Sequence, residues 1–277
     1  MKTQLDSPKA IIAWSMYDWA NSAFATTIMA GFFPIFFKGF WSDGADPVVT
    51  TARLGFAHSL AGITVALMAP ILGAIADQGS VKKRFLAFFA LLGITMTASL
   101  FFIEKGHWQL AVITYVLAAI GFTAGNVFYD SLITAVASPK RMHRVSSLGF
   151  SLGYLGGGLL FALNVWTTLS PATFGFTSDV EAVRFAFLSV AIWWALFSLP
   201  IFFVVREPQS EGSFTPGLQF VKMGFKQFID TFHEIRRLKG IFLFLAAYWL
   251  YICLLYTSPS PRPTRQAEIS YAVFCLK

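Results

Sequence analysis

The chain has 277 residues, of which 56% are hydrophobic, 17% aromatic and only 13% charged. A soluble domain carries about 25% charged residues, and 31 Phe cannot share one water-soluble core, so composition excludes that class and points to a membrane protein. The net charge of +7 sits in short clusters between apolar runs, with no zinc-finger spacing, aromatic RNA-binding signature or long basic helix, which argues against a nucleic-acid partner and assigns the charge to membrane orientation.

Apolar runs of about 20 residues can cross a bilayer, and six occur, at 10–37, 55–76, 85–103, 110–137, 145–169 and 183–205. These predict an all-α polytopic membrane protein. The first run is far longer than a signal-peptide core and carries Asp18, so it is read as a retained span. With the N-terminus cytoplasmic, the inner segments hold fourteen basic residues and the outer ones four. That asymmetry sets the expected orientation.

Tyr17, Asp18 and Asn21 lie inside the first run. An Asp at a span centre costs about 2.5–3.5 kcal/mol on insertion scales, so such a residue is expected to face a wet interior. Ser15, Asp18, Ser22 and Ala25 recur at steps of three and four and share one face, with Asn21 beside it. In the fourth run Ala119, Thr123, Asn126 and Asp130 do the same. At 1.5 Å per residue, Asp18 lies ~12 Å and Asp130 ~10 Å from the inner ends of their spans, which puts the two acids at similar depth.

Tyr17, Asp18, Asn21, Asn126 and Asp130 are therefore the candidate substrate or proton pathway. Two acids at one depth can carry protons, hold a substrate ammonium or lock a cytoplasmic gate, with Arg144 as the expected gate partner. The competing structural role is to tie helices by hydrogen bonds. His58 is read as a helix-tying or interfacial histidine before a proton relay. Gly149, Gly153 and Gly157 repeat every fourth residue, beside Gly156 and Gly158, and predict a face for close helix packing. Trp14, Trp19, Tyr129 and Tyr154 are assigned to packing or interface anchoring before substrate stacking.

After the sixth run, 206–240 forms a long inner loop. Leu218, Val221, Phe225, Phe228, Phe232 and Ile235 mark one apolar face, which predicts an amphipathic helix on the inner leaflet. A seventh apolar run starts at Ile241 and is short, 241–256. The segment 257–277 shows no membrane pattern. The string 254–262 resembles a translated sequencing adapter, so native sequence is expected to end near Ile252; the alternative is a native Pro-rich disordered tail. Cys253 and Cys275 show no metal spacing, and neither a metal nor a cofactor is expected.

The stretch from Gly73 through Asp77 and Gly79 to Lys82, Lys83 and Arg84 resembles the signature between helices two and three of the major facilitator transporters. Gln78 replaces the usual base, and the second glycine comes one place early. Gly73 is expected to allow close helix approach. Asp77, Lys82, Lys83, Arg84 and Arg144 are the candidate cytoplasmic gate. Three further segments, 17–24, 126–130 and 145–158, resemble the branch that includes the fungal vacuolar amino-acid effluxer and its bacterial relatives.

The resemblance implies a six-helix N-terminal half built from two inverted three-helix repeats over 1–205, followed by the loop, the start of a seventh helix and the odd tail. It also implies a secondary transporter for small solutes, amino acids foremost, with proton coupling open. A second half, absent here, would complete the carrier, and the expected site is a bacterial inner membrane. The alternative is a truncated, non-transporting fragment or scaffold. An intramembrane aspartyl protease is disfavoured, because the glycine-x-glycine-acid motif is replaced by 126–130; no enzyme activity is expected.

Overall fold

The computed structural model describes residues 5–77 and 81–207, together with Ile229, Gly240, 242–244, 246–248 and 250. The side chains of Pro70, Ala74, Ile75 and Asp77 lie outside that description. So do most of the expected amphipathic helix and everything from 251 onward. The described residues are helical, with turns between helices and no strand.

Two compact units are present, Met1–Gly224 and Phe225–Lys277. In the second, the described residues are helical, and Phe244 stacks on Tyr248 one turn later, with ring centroids 6.3 Å apart.

The first unit holds six long apolar helices among its described residues: helix one (Pro8–Trp41), two (Pro47–Asp77), three (Lys82–Phe102), four (Trp108–Val136), five (Met142–Leu169) and six (Asp179–Val204). Each is long and apolar enough to cross a membrane, and together they form an integral membrane bundle. Their outward faces carry Phe56, Phe88, Leu91, Phe150, Ile192 and Phe203, all more than half exposed. Water would penalise that surface; hydrocarbon does not.

Helix one is longer than its apolar run predicts, and it is not uniform. Pro8–Ala23 is α-helical and Phe24–Phe32 is π-helical. Phe33–Phe36 is α-helical again and Phe37–Trp41 is π-helical. Pro34 has no N–H, so a carbonyl one turn earlier cannot close its α-helical bond. The chain widens into i→i+5 pairing around it, as Phe33 donating to the Ile28 carbonyl shows. Helix four also departs from the expected continuous run, breaking at Leu132 between Trp108–Ser131 and Ile133–Val136. The Leu132 N–H is shared between the carbonyls of Phe128 and Tyr129.

Hydrogen bonds tie the two ends of the bundle and establish the alternating helix directions. At one end the Asp6 N–H donates to the Val136 carbonyl, and Asp6 accepts from the Ser138 N–H. At the same end the start of helix three meets the chain just past helix six through Lys82, Lys83 and Glu207. At the other end Trp41 donates to the Ile103 carbonyl, and Arg184 to the Phe101 carbonyl.

The core has two layers. One, around Phe24, Phe33, Tyr115, Phe187 and Trp194, lies toward the end of the bundle that holds Trp41. The other, around Trp14, Tyr17, Leu86, Phe128 and Val136, lies toward the end that holds the helix-four break. In a bilayer, packing and close backbone approach hold such layers together in place of water exclusion.

Candidate functional site

Asp18, Asn21 and Ser22 occupy one turn and a half of helix one, just before it turns π-helical. Pro8 lies about 15 Å below Asp18 at 1.5 Å per residue. Asp18 is half-buried, and its Oδ1 accepts from Ser22 Oγ at 2.9 Å. Helix five closes one side of it. A Cβ on Gly153 would lie 2.9 Å from the Asp18 Cγ and 2.7 Å from Ser22 Oγ.

The same glycine row continues in both directions. Gly149 leaves room for the Trp14 ring and the Tyr129 hydroxyl, and Gly156 for Trp19. At Gly157 the carbonyl accepts from Thr26 Oγ1 at 3.1 Å. Gly149, Gly153 and Gly157 thus all lie against helix one. Gly158 meets nothing within 4 Å. Gly73 likewise meets nothing within 4 Å, and the close approach expected there is not made among the described residues.

Helix four comes in from the other side. Asn21 Nδ2 donates to Asn126 Oδ1, an amide pair that links helices one and four. Asn21 is 1% exposed, and its Oδ1 has no donor. One turn further on, Tyr129 stacks against Trp14 with centroids 4.4 Å apart and planes 13° from parallel. Tyr17 packs on Tyr129 at 5.1 Å. The Tyr129 carbonyl, beside the helix break, also accepts from Trp14 Nε1 at 3.0 Å. Sequence spacing carries no sign of this Trp14–Tyr129 clasp, and the helix break beside it has no glycine or proline of its own.

Asp130 follows on the exposed side of helix four. Asp130 lies one turn past Asn126 and Asp18 one turn before Asn21, so the amide pair sets the two acids at neighbouring levels of helices one and four. The structure therefore brings Tyr17, Asp18, Asn21, Asn126 and Asp130 together. Among the described residues neither acid is within salt-bridge distance of a base, the one such pair being the exposed Lys105–Asp43 at 3.0 Å. Arg144 in particular is exposed and pairs with neither acid.

Two bases of the cluster after helix two are tied to other helices, and the Asp77 side chain is outside the described residues. Lys83 Nζ donates to the carbonyls of Phe202 and Val205 at 2.6 and 2.7 Å, capping the end of helix six. Glu207 Oε1 accepts from the Lys82 N–H, capping the start of helix three. Lys82 Nζ reaches the Ser131 carbonyl of helix four at 3.3 Å. Only Arg84 of the three stays exposed.

His58 ties helices as expected: its Nδ1 pairs with the Leu54 carbonyl at 2.9 Å and its Nε2 with the Tyr115 hydroxyl at 3.0 Å. Trp19 stacks on Trp193, which donates to the Trp19 carbonyl, so Trp19 packs helix one on helix six. Tyr154 is 76% exposed. No group of three or more metal-ligating residues forms among the described residues.

Known proteins match this chain along most of its length. The Bacillus subtilis MFS-type transporter YxiO is 35% identical over 249 residues, which cover 87% of this chain and 56% of that relative. Autophagy-related protein 22 of Yarrowia lipolytica is 26% identical over 39% of the chain and 20% of its own length. A Lactococcus lactis homologue of the multi-drug resistance efflux pump PmrA is 24% identical over 71% of the chain and 44% of its length. The chain spans about half, or less, of the length of these relatives. No solved structure matches. The model of the "Vacuole effluxer Atg22 like" family matches residues 6–141 and 134–260. The chain belongs to that family, within the major facilitator transporters.

Proposed function

We propose that this chain is the N-terminal half of a secondary carrier that moves small solutes, amino acids foremost, by alternating access. Asp18, Asn21, Asn126, Asp130 and Tyr17 form its share of the pathway. The single observation that carries this reading is the acid pair on helices one and four, which has no base within salt-bridge distance among the described residues. An intramembrane carboxylate with no base beside it costs several kcal/mol unless water, a proton or cargo reaches it. The family match and the efflux named in its description support transport; the choice of amino acids follows the resemblance to the vacuolar amino-acid effluxer.

In this reading the N-terminus is cytoplasmic, in a bacterial inner membrane, and the basic end of the bundle faces the second half across the gate. Lys82 and Lys83 hold their own helices together. Arg84 and Arg144, both exposed, are left to meet the second half, and Asp77 is assigned to the same gate. Protons share the acid pair with cargo.

The test is uptake of labelled amino acids by proteoliposomes containing this chain, alone and with the second half of the B. subtilis relative supplied as a separate chain. Uptake is expected with the second half present, and Asp18→Asn should lower it at least tenfold. No uptake in either arrangement rejects the carrier reading. Full uptake by Asp18→Asn removes Asp18 from the pathway.

A further inference from the structure

Few side-chain donors reach the acids on helices one and four among the described residues. Asp18 receives one bond, from Ser22. Asn21 Oδ1 is buried and receives none. The Tyr129 hydroxyl is also buried without a partner, on a residue 4% exposed, and it lies against Gly149, one turn of helix five from the Gly153 that faces Asp18. Among the described residues no Lys, Arg or His is within salt-bridge distance of either acid; Lys82, the base that comes to this part of helix four, is on the Ser131 carbonyl. A buried, unpartnered polar atom is costly and marks a missing partner.

The complement of such a place is a small cation rich in donors. A primary ammonium has three N–H donors and no acceptor, and its charge offsets that of the pair. A quaternary ammonium offers no N–H. Helix five cannot supply a basic side chain at the point of contact, because Gly153 and Gly149 lie directly against Asp18 and Tyr129. We propose that Asp18, Asp130 and the Tyr129 hydroxyl form a subsite for the primary ammonium group of the cargo. The carboxylate end of a zwitterion finds no base there and is left to residues outside this bundle. This assignment rests on the carrier reading above and narrows it to one end of one molecule.

The test uses the full chain in nanodiscs with Cys253→Ser and Cys275→Ser, and a reporter at Ala25→Cys. Ala25 is half-exposed one turn beyond Ser22. Labelling by a membrane-impermeant maleimide is followed with amino-acid methyl esters, which keep the ammonium and lose the carboxylate charge, and with N-acetyl amino acids, which lose the ammonium. Methyl esters are expected to slow labelling at least fivefold and N-acetyl amino acids not at all. Asp18→Asn should abolish the protection, and Asp18→Glu should restore part of it.

Labelling without protection by either set overturns the ammonium subsite and leaves the carrier reading standing. So does equal protection by both sets, protection that survives Asp18→Asn, or protection by sodium chloride alone. No labelling of Ala25→Cys in any condition means a sealed helix-one face, and overturns both.

Discussion

Gly153 and Asp18 approach so closely that a methyl group on the glycine would lie 2.9 Å from the carboxyl carbon. Helix five thus forms one wall of the acid site with bare backbone. Gly153→Ala forces either the carboxylate or helix five to move, and overpacking of this kind costs about 1–3 kcal/mol. The expected result is a lower unfolding temperature in detergent. Gly158→Ala, whose added methyl meets nothing within 4 Å, should change it by no more than about 0.5 kcal/mol in stability. Equal effects at the two positions would show that the glycine row does not set the distance between helices one and five.

The Asn21–Asn126 pair joins the two helices that carry the acids. Interhelical side-chain hydrogen bonds in membranes contribute about 0.6 kcal/mol on average and up to about 1.7. A double-mutant cycle of Asn21→Ala and Asn126→Ala, read by reversible unfolding, should return a coupling in that range. Strictly additive effects would mean that the amides act separately.

Much of this arrangement is readable from residue order, for a physical reason. In hydrocarbon every backbone polar group must be satisfied within the segment, so apolar length predicts the helices. Polar residues stay rare enough that Asp18, Asn21, Asn126 and Asp130 stand out by spacing alone. The four-residue glycine repeat likewise predicts close packing wherever a partner comes. What spacing does not carry is the partner. Lys83 caps the helix-six carbonyls, and Glu207 caps helix three across 125 positions of sequence, contacts that no local pattern carries. The π-helical turns of helix one depend on how Pro34 is absorbed, by a kink or by widening, and only packing against helices five and six decides that. The helix-four break at Leu132 has no breaker residue at all.

Glu207 and Lys83 cap each other's helices: the carboxylate takes the N–H groups that begin helix three, and the ammonium takes the carbonyls that end helix six. Losing an N-terminal cap costs about 0.5–2 kcal/mol. Glu207→Ala should therefore speed hydrogen exchange at the Lys82 and Lys83 amides by about 2- to 30-fold, through local opening at the helix start. The amides of Ala90 and Gly93, deeper in helix three, should be unchanged. Acceleration along the whole helix would mean that Glu207 supports the global fold and not one helix start.

Asp6 makes the corresponding tie outside the spans, where it fastens the start of helix one to the turn between helices four and five. Its carboxylate accepts from the Ser138 N–H at 3.1 Å. That bond, then the Ser138 side chain and, more weakly, the Arg141 charge hold its carboxyl below the usual Asp range. A carboxyl that is more acidic in the folded chain than in the unfolded one binds fewer protons when folded, so it stabilises the fold above the unfolded value of about 3.9. The contribution is lost as pH falls through the folded value. Asp6 has a φ of 63°, a conformation that Asn also adopts readily, so Asp6→Asn removes the charge and keeps the backbone. Unfolding midpoints of wild type and Asp6→Asn should differ above the unfolded Asp value of about 3.9 and converge as pH falls through the folded one. A gap that stays constant through that fall would assign the tie to the backbone bond between Asp6 and Val136 and not to the carboxylate.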